Sequence, residues 1–337
     1  MLMEIEIKTD LPLNISLAIV ALLAVVAACF LGSTAMHFGD VLGGILGTGS
    51  VEDRLIVWQV RLPRALSAFV VGAALGMSGA ALQGLLRNPL AEPGILGVSS
   101  VSVLCATLTL YFGLGTASSL FLPLSAIAGA LIATAFLALA ALRVGSVVTL
   151  ILIGVGLTSF SGALMSLLMN FAPNPFTLAD LINWTLGSVA NRSLLDLAYA
   201  LPFILIGAVI MLTCRRGLSA LTLGEEAAAG LGVNLVSQRV LIILGAGLAT
   251  GGSVALAGAI GFVGIIAPHA IRPLVGHDPA RTLLPSALSG GVLILIADIA
   301  IRLTPTYSEL KLGVVAAIIG APAFIWIAAQ RRAGATP

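Results

Sequence analysis

Residue types that do covalent or metal chemistry are few and scattered in this chain. The three histidines (His37, His269, His277) and three cysteines (Cys29, Cys105, Cys214) form no Cys-x-x-Cys or Cys/His spacing, so no metal site is expected. His269 has no nucleophile beside it, and Ser253 stands in a glycine-rich run without a base; neither makes a catalytic constellation. Lysine occurs only at Lys8 and Lys311, and neither completes the Gly-x-x-x-x-Gly-Lys-Ser/Thr pattern that cradles nucleotide phosphates. The chain is therefore expected to bind no cofactor and to catalyse no reaction. Any ATP that drives it is held by another polypeptide.

What charge there is gathers in a few places. The stretch from Leu221 to Gly232 is too polar and too short to cross a membrane. Leu221 and Glu225 are one helical turn apart, and Glu225, Glu226 and three alanines favour a short helix ended by Gly230 or Gly232. On these residues alone an ordinary amphipathic loop helix is the simplest reading. Arg61 and Arg64 open one apolar run, and Arg302 closes another. Asp298 lies four residues before Arg302, where an ionisable group is costly and an i,i+4 ion pair explains it. The run Arg87-Asn88-Pro89-Leu90-Ala91-Glu92-Pro93-Gly94 interrupts the apolar pattern. It reads either as a loop between helices or as a re-entrant, gate-lining segment, which needs protein or water to satisfy its backbone.

The elements that must position these residues are set by composition. The chain is 59% hydrophobic and 9% charged, with a mean hydropathy of +1.14; soluble chains carry about 25% charged residues. The bilayer must be the solvent for most of it. Met1 to Asp10 lack the basic start of a cleaved signal, so the first apolar run reads as a retained span. Spanning helices are predicted near 15–32, 61–82, 94–112, 119–142, 146–170, 194–213, 236–257, 260–275, 283–302 and 311–329. The eighth is short and interrupted by Pro268 and Pro273. No segment shows the ten-residue alternation of a barrel strand. The expected fold is all-α, about ten transmembrane helices in a single domain over 1–337.

Ten spans put both termini on one side. With that side cytoplasmic, the inner loops hold Lys8, Arg87, Arg143, Arg215, Arg216, Arg239, Arg272, Arg281, Arg331 and Arg332. The outer side holds Arg54, Arg61, Arg64, Arg192, Arg302 and Lys311. The bias supports termini inside. Gly72-x-x-x-Gly76 running into Gly79, Gly247-x-x-x-Gly251, and Gly258, Gly261 and Gly264 place small residues at helical spacing, as closely packed membrane helices require.

Several motifs together resemble one family. Arg61-Leu62-Pro63-Arg64 through Gly72-Ala73-Ala74-Leu75, Gln83, and Asn88-Pro89-Leu90-Ala91-Glu92-Pro93-Gly94 through Ser99 are similar to the FecCD/BtuC-like permeases that import cobalamin, haem and ferric siderophores. So are Gly258 through Gly264 leading to Pro268-His269, Ala297-Asp298 to Arg302, and Gly313-Val314-Val315 to Gly320-Ala321-Pro322. The resemblance covers about residues 15 to 330. It implies a type II ABC importer of the inner membrane: a permease homodimer, two ABC ATPase subunits and a periplasmic binding protein, with the path at the dimer interface and no nucleic acid involved.

The resemblance also implies roles. The coupling element, about 219–233, would present Leu221, Leu223, Gly224, Glu225, Glu226, Ala227, Ala228 and Gly230 to the ATPase. Arg61, Arg64 and Arg302 would pair with glutamates of the binding protein, through the bidentate fork that arginine offers carboxylates; interfacial anchoring is the competing reading. Gln83, Asn88, Pro89, Glu92, Met77, Met165 and Met169 are expected at the pathway or gate, with Leu85, Asn170 and Phe171 beside them. Methionine and phenylalanine offer soft surface to a large planar ligand. Trp184 is expected on an interfacial amphipathic helix. An iron chelate is favoured only because most of the family carries one. A gradient-driven secondary transporter is the alternative, but the chain shows neither a matching internal repeat nor an acidic ion site.

Overall fold

Long apolar runs punctuated by proline, glycine and capping residues fold as helices throughout. The computed structural model describes residues 2–34, 36–116, 118, 120–144, 146–305 and 308–333. The side chains of residues 2–9, 116, 328 and 330–333 lie outside that description, so Lys8, Arg331 and Arg332 of the charge bias do too.

Helices α1 (Leu2–Phe30), α2 (Phe38–Leu46) and α3 (Val51–Leu55) lead into α4 (Leu62–Leu86). Then follow α5 (Val98–Tyr111), α6 (Phe121–Arg143), α7 (Val147–Asn170), α8 (Pro175–Thr185) and α9 (Leu194–Thr213). Two short helices, α10 (Arg215–Leu221) and α11 (Glu225–Gly230), precede α12 (Leu235–Ala257). The chain closes with α13 (Val263–Ile271), α14 (Pro279–Leu303) and α15 (Leu312–Ala333). Among the described residues, seven helical runs are long and apolar enough to span a membrane, and three shorter apolar ones complete the ten expected segments.

Three segments differ from expectation. A π-helical stretch, Ile56–Arg61, fuses α3 to α4, so this run extends over Val51–Leu86. The third segment begins only at Val98, because Gly97 turns left-handed (φ 82°) after the Pro93-Gly94 turn; its 14 residues reach about 21 Å. Pro268 lies inside the eighth, where its missing N–H leaves the carbonyl of Gly264 without its i+4 donor. Gln83 Nε2 donates to that oxygen instead, at 2.9 Å. The helix then tightens into a 3₁₀ turn over Arg272–Val275, which contains Pro273.

The bundle is organised around α4 and α12, each buried over 78% of its most apolar 18 residues, against 17% for α1 and α7. α4 runs along α14, α12 and α13, while α12 packs on α6 and α9. Glycine makes this possible. A Cβ at Gly72 would strike the Gly290 carbonyl, one at Gly76 the Ser286 carbonyl, and one at Gly79 the Gly264 carbonyl. Close backbone approach of this kind supplies the dispersion contacts that hold helices together in lipid.

Candidate functional site

At one end of α14 the coupling segment forms a bent knob. Leu221 ends α10 and Gly224 (φ 106°) starts α11, so Leu221 and Glu225 do not share a helix as the spacing suggested. Only glycine takes that backbone conformation without strain. Leu221 and Ala228 are buried anchors, whereas Leu223, Glu226, Ala227 and Gly230 face outward. Leu231, which the sequence did not single out, is exposed like Leu223. Glu225 pairs with Arg239 of α12 at 2.7 Å. The knob is fastened to α14: Ser219 Oγ donates to the Asp278 carboxylate at 3.0 Å, and Arg215 Nε donates to Ala280 O at 3.2 Å. Asp278 also caps α14, accepting from the Ala280 and Arg281 amides.

The interrupted stretch after α4 is held down on the α12–α13 junction. Asn88 Oδ1 accepts from the Leu90 amide at 3.0 Å, closing the turn. Glu92 Oε2 accepts from the Phe262 amide at 3.0 Å, where Phe262 is left-handed (φ 66°). Burial raises the Glu92 carboxyl to about 7, and that hydrogen bond opposes the rise. Thr158 of α7 donates to Gly94 O at 3.1 Å. Gln83 uses its amide twice, donating to Gly264 and accepting from Arg272. Gln83, Pro89 and Glu92 are thus linked or packed into the helix junction, and Met77 and Leu85 are buried core residues rather than pathway surface.

At the far end of α4 and α14, Arg61 and Arg302 are buried and Arg64 is half-buried, rather than standing out as exposed charges. Arg61, 4% exposed, donates to the carbonyls of Cys29, Phe30 and Thr34. Arg302, 9% exposed, donates to those of Ala28 and Leu31. Together they satisfy the last carbonyls of α1, which have no intrahelical donor. Asp298, fully buried, lies 3.0 Å from Arg302 as the spacing predicted, and also accepts from Arg64 at 2.7 and 2.9 Å. Arg64 reaches on to Glu309. Nothing in sequence separates a docking arginine from one that caps a helix.

Residues 19–330 match the model of the FecCD transport family. The chain belongs to that family. This permease is 40% identical over 319 residues to the vitamin B12 import system permease protein BtuC of Salmonella paratyphi A (strain ATCC 9150 / SARB42), 93% of each chain being covered. The same figures hold for BtuC of Salmonella newport (strain SL254). A solved structure described as a metal-chelate type ABC transporter in an inward-facing conformation matches with a TM-score of 0.84 at 31% identity, covering 95% of this chain and 99% of that one. The protein is therefore a multi-pass, all-α permease subunit of an ABC importer. Membership implies an ATPase partner that hydrolyses ATP in its own subunit, and a substrate-binding protein.

The remaining expected residues of the permease lie on or near α7. Met165 and Met169 are half-buried there, and Asn170 and Phe171 are exposed at its end. Trp184 lies on the short helix α8, but its side chain turns inward: it is 7% exposed and packs with Val103, Ile127 and Val254. The Arg192 guanidinium sits 5.3 Å over its ring. Burial lowers the Arg192 pKa, opposed by the Asp196 carboxylate.

Proposed function

We propose that the permease works as a homodimer in the inner membrane, with both termini cytoplasmic, and passes a large metal chelate of the corrinoid class between its two copies. The observation that carries the substrate class is 40% identity, over 93% of both chains, to permeases named for vitamin B12 import. That weighs against the iron chelate favoured on resemblance alone. α7 is the candidate wall of the path, since only 17% of its most apolar stretch is fully buried within one copy and it carries Met165 and Met169.

Force enters at the knob. Leu223 and Leu231 present exposed apolar side chains suited to a cleft of the ATPase, with Glu225, Glu226, Ala227 and Gly230 around them. Movement there is passed through Ser219 and Asp278 to α14, which lies along α4 for most of its length. The loop holding Asn88, Pro89 and Glu92 hangs between α4 and α13 and would follow that shift as the gate. At the opposite end Arg64 and Glu309 form the outermost part of the arginine cluster. They are the proposed contact for the binding protein, with Arg61 and Arg302 supporting from beneath.

The test is uptake into vesicles holding the permease, its ATPase and its binding protein. ATP-dependent accumulation of cyanocobalamin, with neither a ferric siderophore nor haem taken up, is the expected result. Uptake of an iron chelate alone would reassign the substrate. Uptake that follows a proton or sodium gradient without ATP would refute the importer reading itself.

A further inference from the structure

Three basic residues from separate parts of the chain line one cavity at the knob end. Arg87 follows α4, Arg272 follows α13, and His277 precedes α14; the cavity between them measures about 230 Å³. Asn88, Thr222 and Thr282 add polar surface, and no carboxylate side chain lines it among the described residues. Three acids of the adjoining segments have partners of their own. Asp278 serves Ser219 and the first turn of α14, Glu225 holds Arg239, and Glu92 holds the Phe262 amide.

The geometry is built rather than incidental. Arg272 is positioned by Gln83 Oε1, and Gln83 is in turn fixed on Gly264 O. Arg87 (φ 50°) and His277 (φ 64°) take left-handed backbone where their helical segments end, their amides closing the last turn on Gln83 O and Arg272 O, which fixes where both side chains start. A volume of about 230 Å³ is several times the roughly 30 Å³ of one water.

We infer that this cavity binds a phosphate-type oxyanion, supplied either as free phosphate or as the headgroup of an anionic lipid. Two guanidinium forks and an imidazole offer donors to several oxygens at once, the arrangement that makes charge-assisted hydrogen bonds strong. The bound anion would tie the gate loop, through Arg87 and Asn88, to the turn after α10, through Thr222, and to the start of α14. It would favour whichever arrangement of gate and knob brings the basic groups together, and a ligand shifts such an equilibrium by its differential affinity. The inference does not rest on which substrate is carried.

The experiment uses the full-chain permease assembled with its ATPase in detergent. Two probes are titrated, inorganic phosphate and vesicle-derived mixed micelles of phosphatidylcholine with phosphatidic acid, and binding is read by thermal shift and calorimetry. At least one probe binds, and Arg87→Asn, which removes the charge but tolerates the left-handed backbone, weakens it about tenfold, the loss of one charge-assisted contact. His277→Asn weakens it too. Arg143→Asn, removing an exposed arginine at the end of α6, leaves it unchanged. Tighter binding of phosphate assigns a free anion, and tighter binding of phosphatidic acid assigns a headgroup; either supports the site. Equal weakening by Arg87→Asn and Arg143→Asn, or no binding of either probe, overturns it. Binding by the permease alone that vanishes in the complex would give the cavity to an acidic side chain of the ATPase, and also overturns it.

Discussion

Buried charge in this permease is spent on closing helix ends. Arg61 and Arg302 answer the terminal carbonyls of α1, and Asp298 lies between Arg64 and Arg302. Removing a buried charged donor leaves its partners unsatisfied, at a cost of about 2–4 kcal/mol. Arg302→Ala is therefore expected to lower the unfolding temperature of purified permease well below wild type. A residue that served docking alone would leave that temperature unchanged and weaken only association with the binding protein. Arg61→Glu is expected to lose folded protein altogether, since it points a carboxylate at carbonyl oxygens. Glu92 gives a second expectation. Its folded carboxyl, raised to about 7, holds its proton where an unfolded carboxyl has lost it, so between about pH 4.5 and 7 the folded state binds more protons. Stability contributed at this site accordingly falls as pH rises through that window. Thermal unfolding followed at pH 5.5 and 7.5 should show wild type losing stability across the interval and Glu92→Gln losing less; identical slopes would rule out Glu92 as the source. The i,i+4 pairing of Asp298 with Arg302 was legible in the sequence. The Arg64–Asp298 pair, 234 positions apart, was not, because no local spacing encodes it.

At the scale of elements, the spans were legible because lipid demands length and apolarity; among the described residues seven helical runs supply both, and three shorter ones supply the apolarity. What they pack against was not. The Gly72, Gly76 and Gly79 series announced a close approach, but only the fold shows that the approaching backbones are Gly290 and Ser286 on α14 and Gly264 on α13. Gly79→Val is expected to force α4 off α13, costing upwards of about 1–3 kcal/mol as overpacking does. Correctly folded permease recovered by size-exclusion chromatography should drop sharply, while Gly156→Val on α7, where nothing lies within 4 Å of an added Cβ, should be recovered normally. The coupling segment shows the same division. Its polarity and its glycines marked a short helix, yet the fastening of α10 to α14 by Ser219 and Asp278 joins residues 59 apart. Ser219→Ala should slacken that joint without removing the α14 cap. ATP hydrolysis by the reconstituted transporter is then expected to persist while substrate moved per ATP declines; a proportional fall in both would mean the joint only stabilises the fold.

For the whole molecule, a path between two copies requires that the residues lining it be shielded from lipid only by the partner. Under the homodimer proposal α7 is the helix for that role: it is as little buried in one copy as α1, but it carries Met169, half-buried near its end. Met77, placed beside it on chemistry alone, is 4% exposed in the middle of α4. Thioether side chains look alike in sequence whether they fill a core or face a path; which helix occupies the centre decides between them, and that is set by contacts far apart in the chain. Cysteine substitution separates the two in the assembled transporter. Met169→Cys is expected to react with a water-soluble maleimide and to be protected when the loaded binding protein docks in the presence of a non-hydrolysable nucleotide. Met77→Cys should stay unlabelled in every state. Labelling at Met77 would place the path through the centre of one copy, and α7 would then face lipid alone. An unreactive Met169→Cys beside an unreactive Met77→Cys would remove α7 from the path and leave the homodimer proposal without its wall.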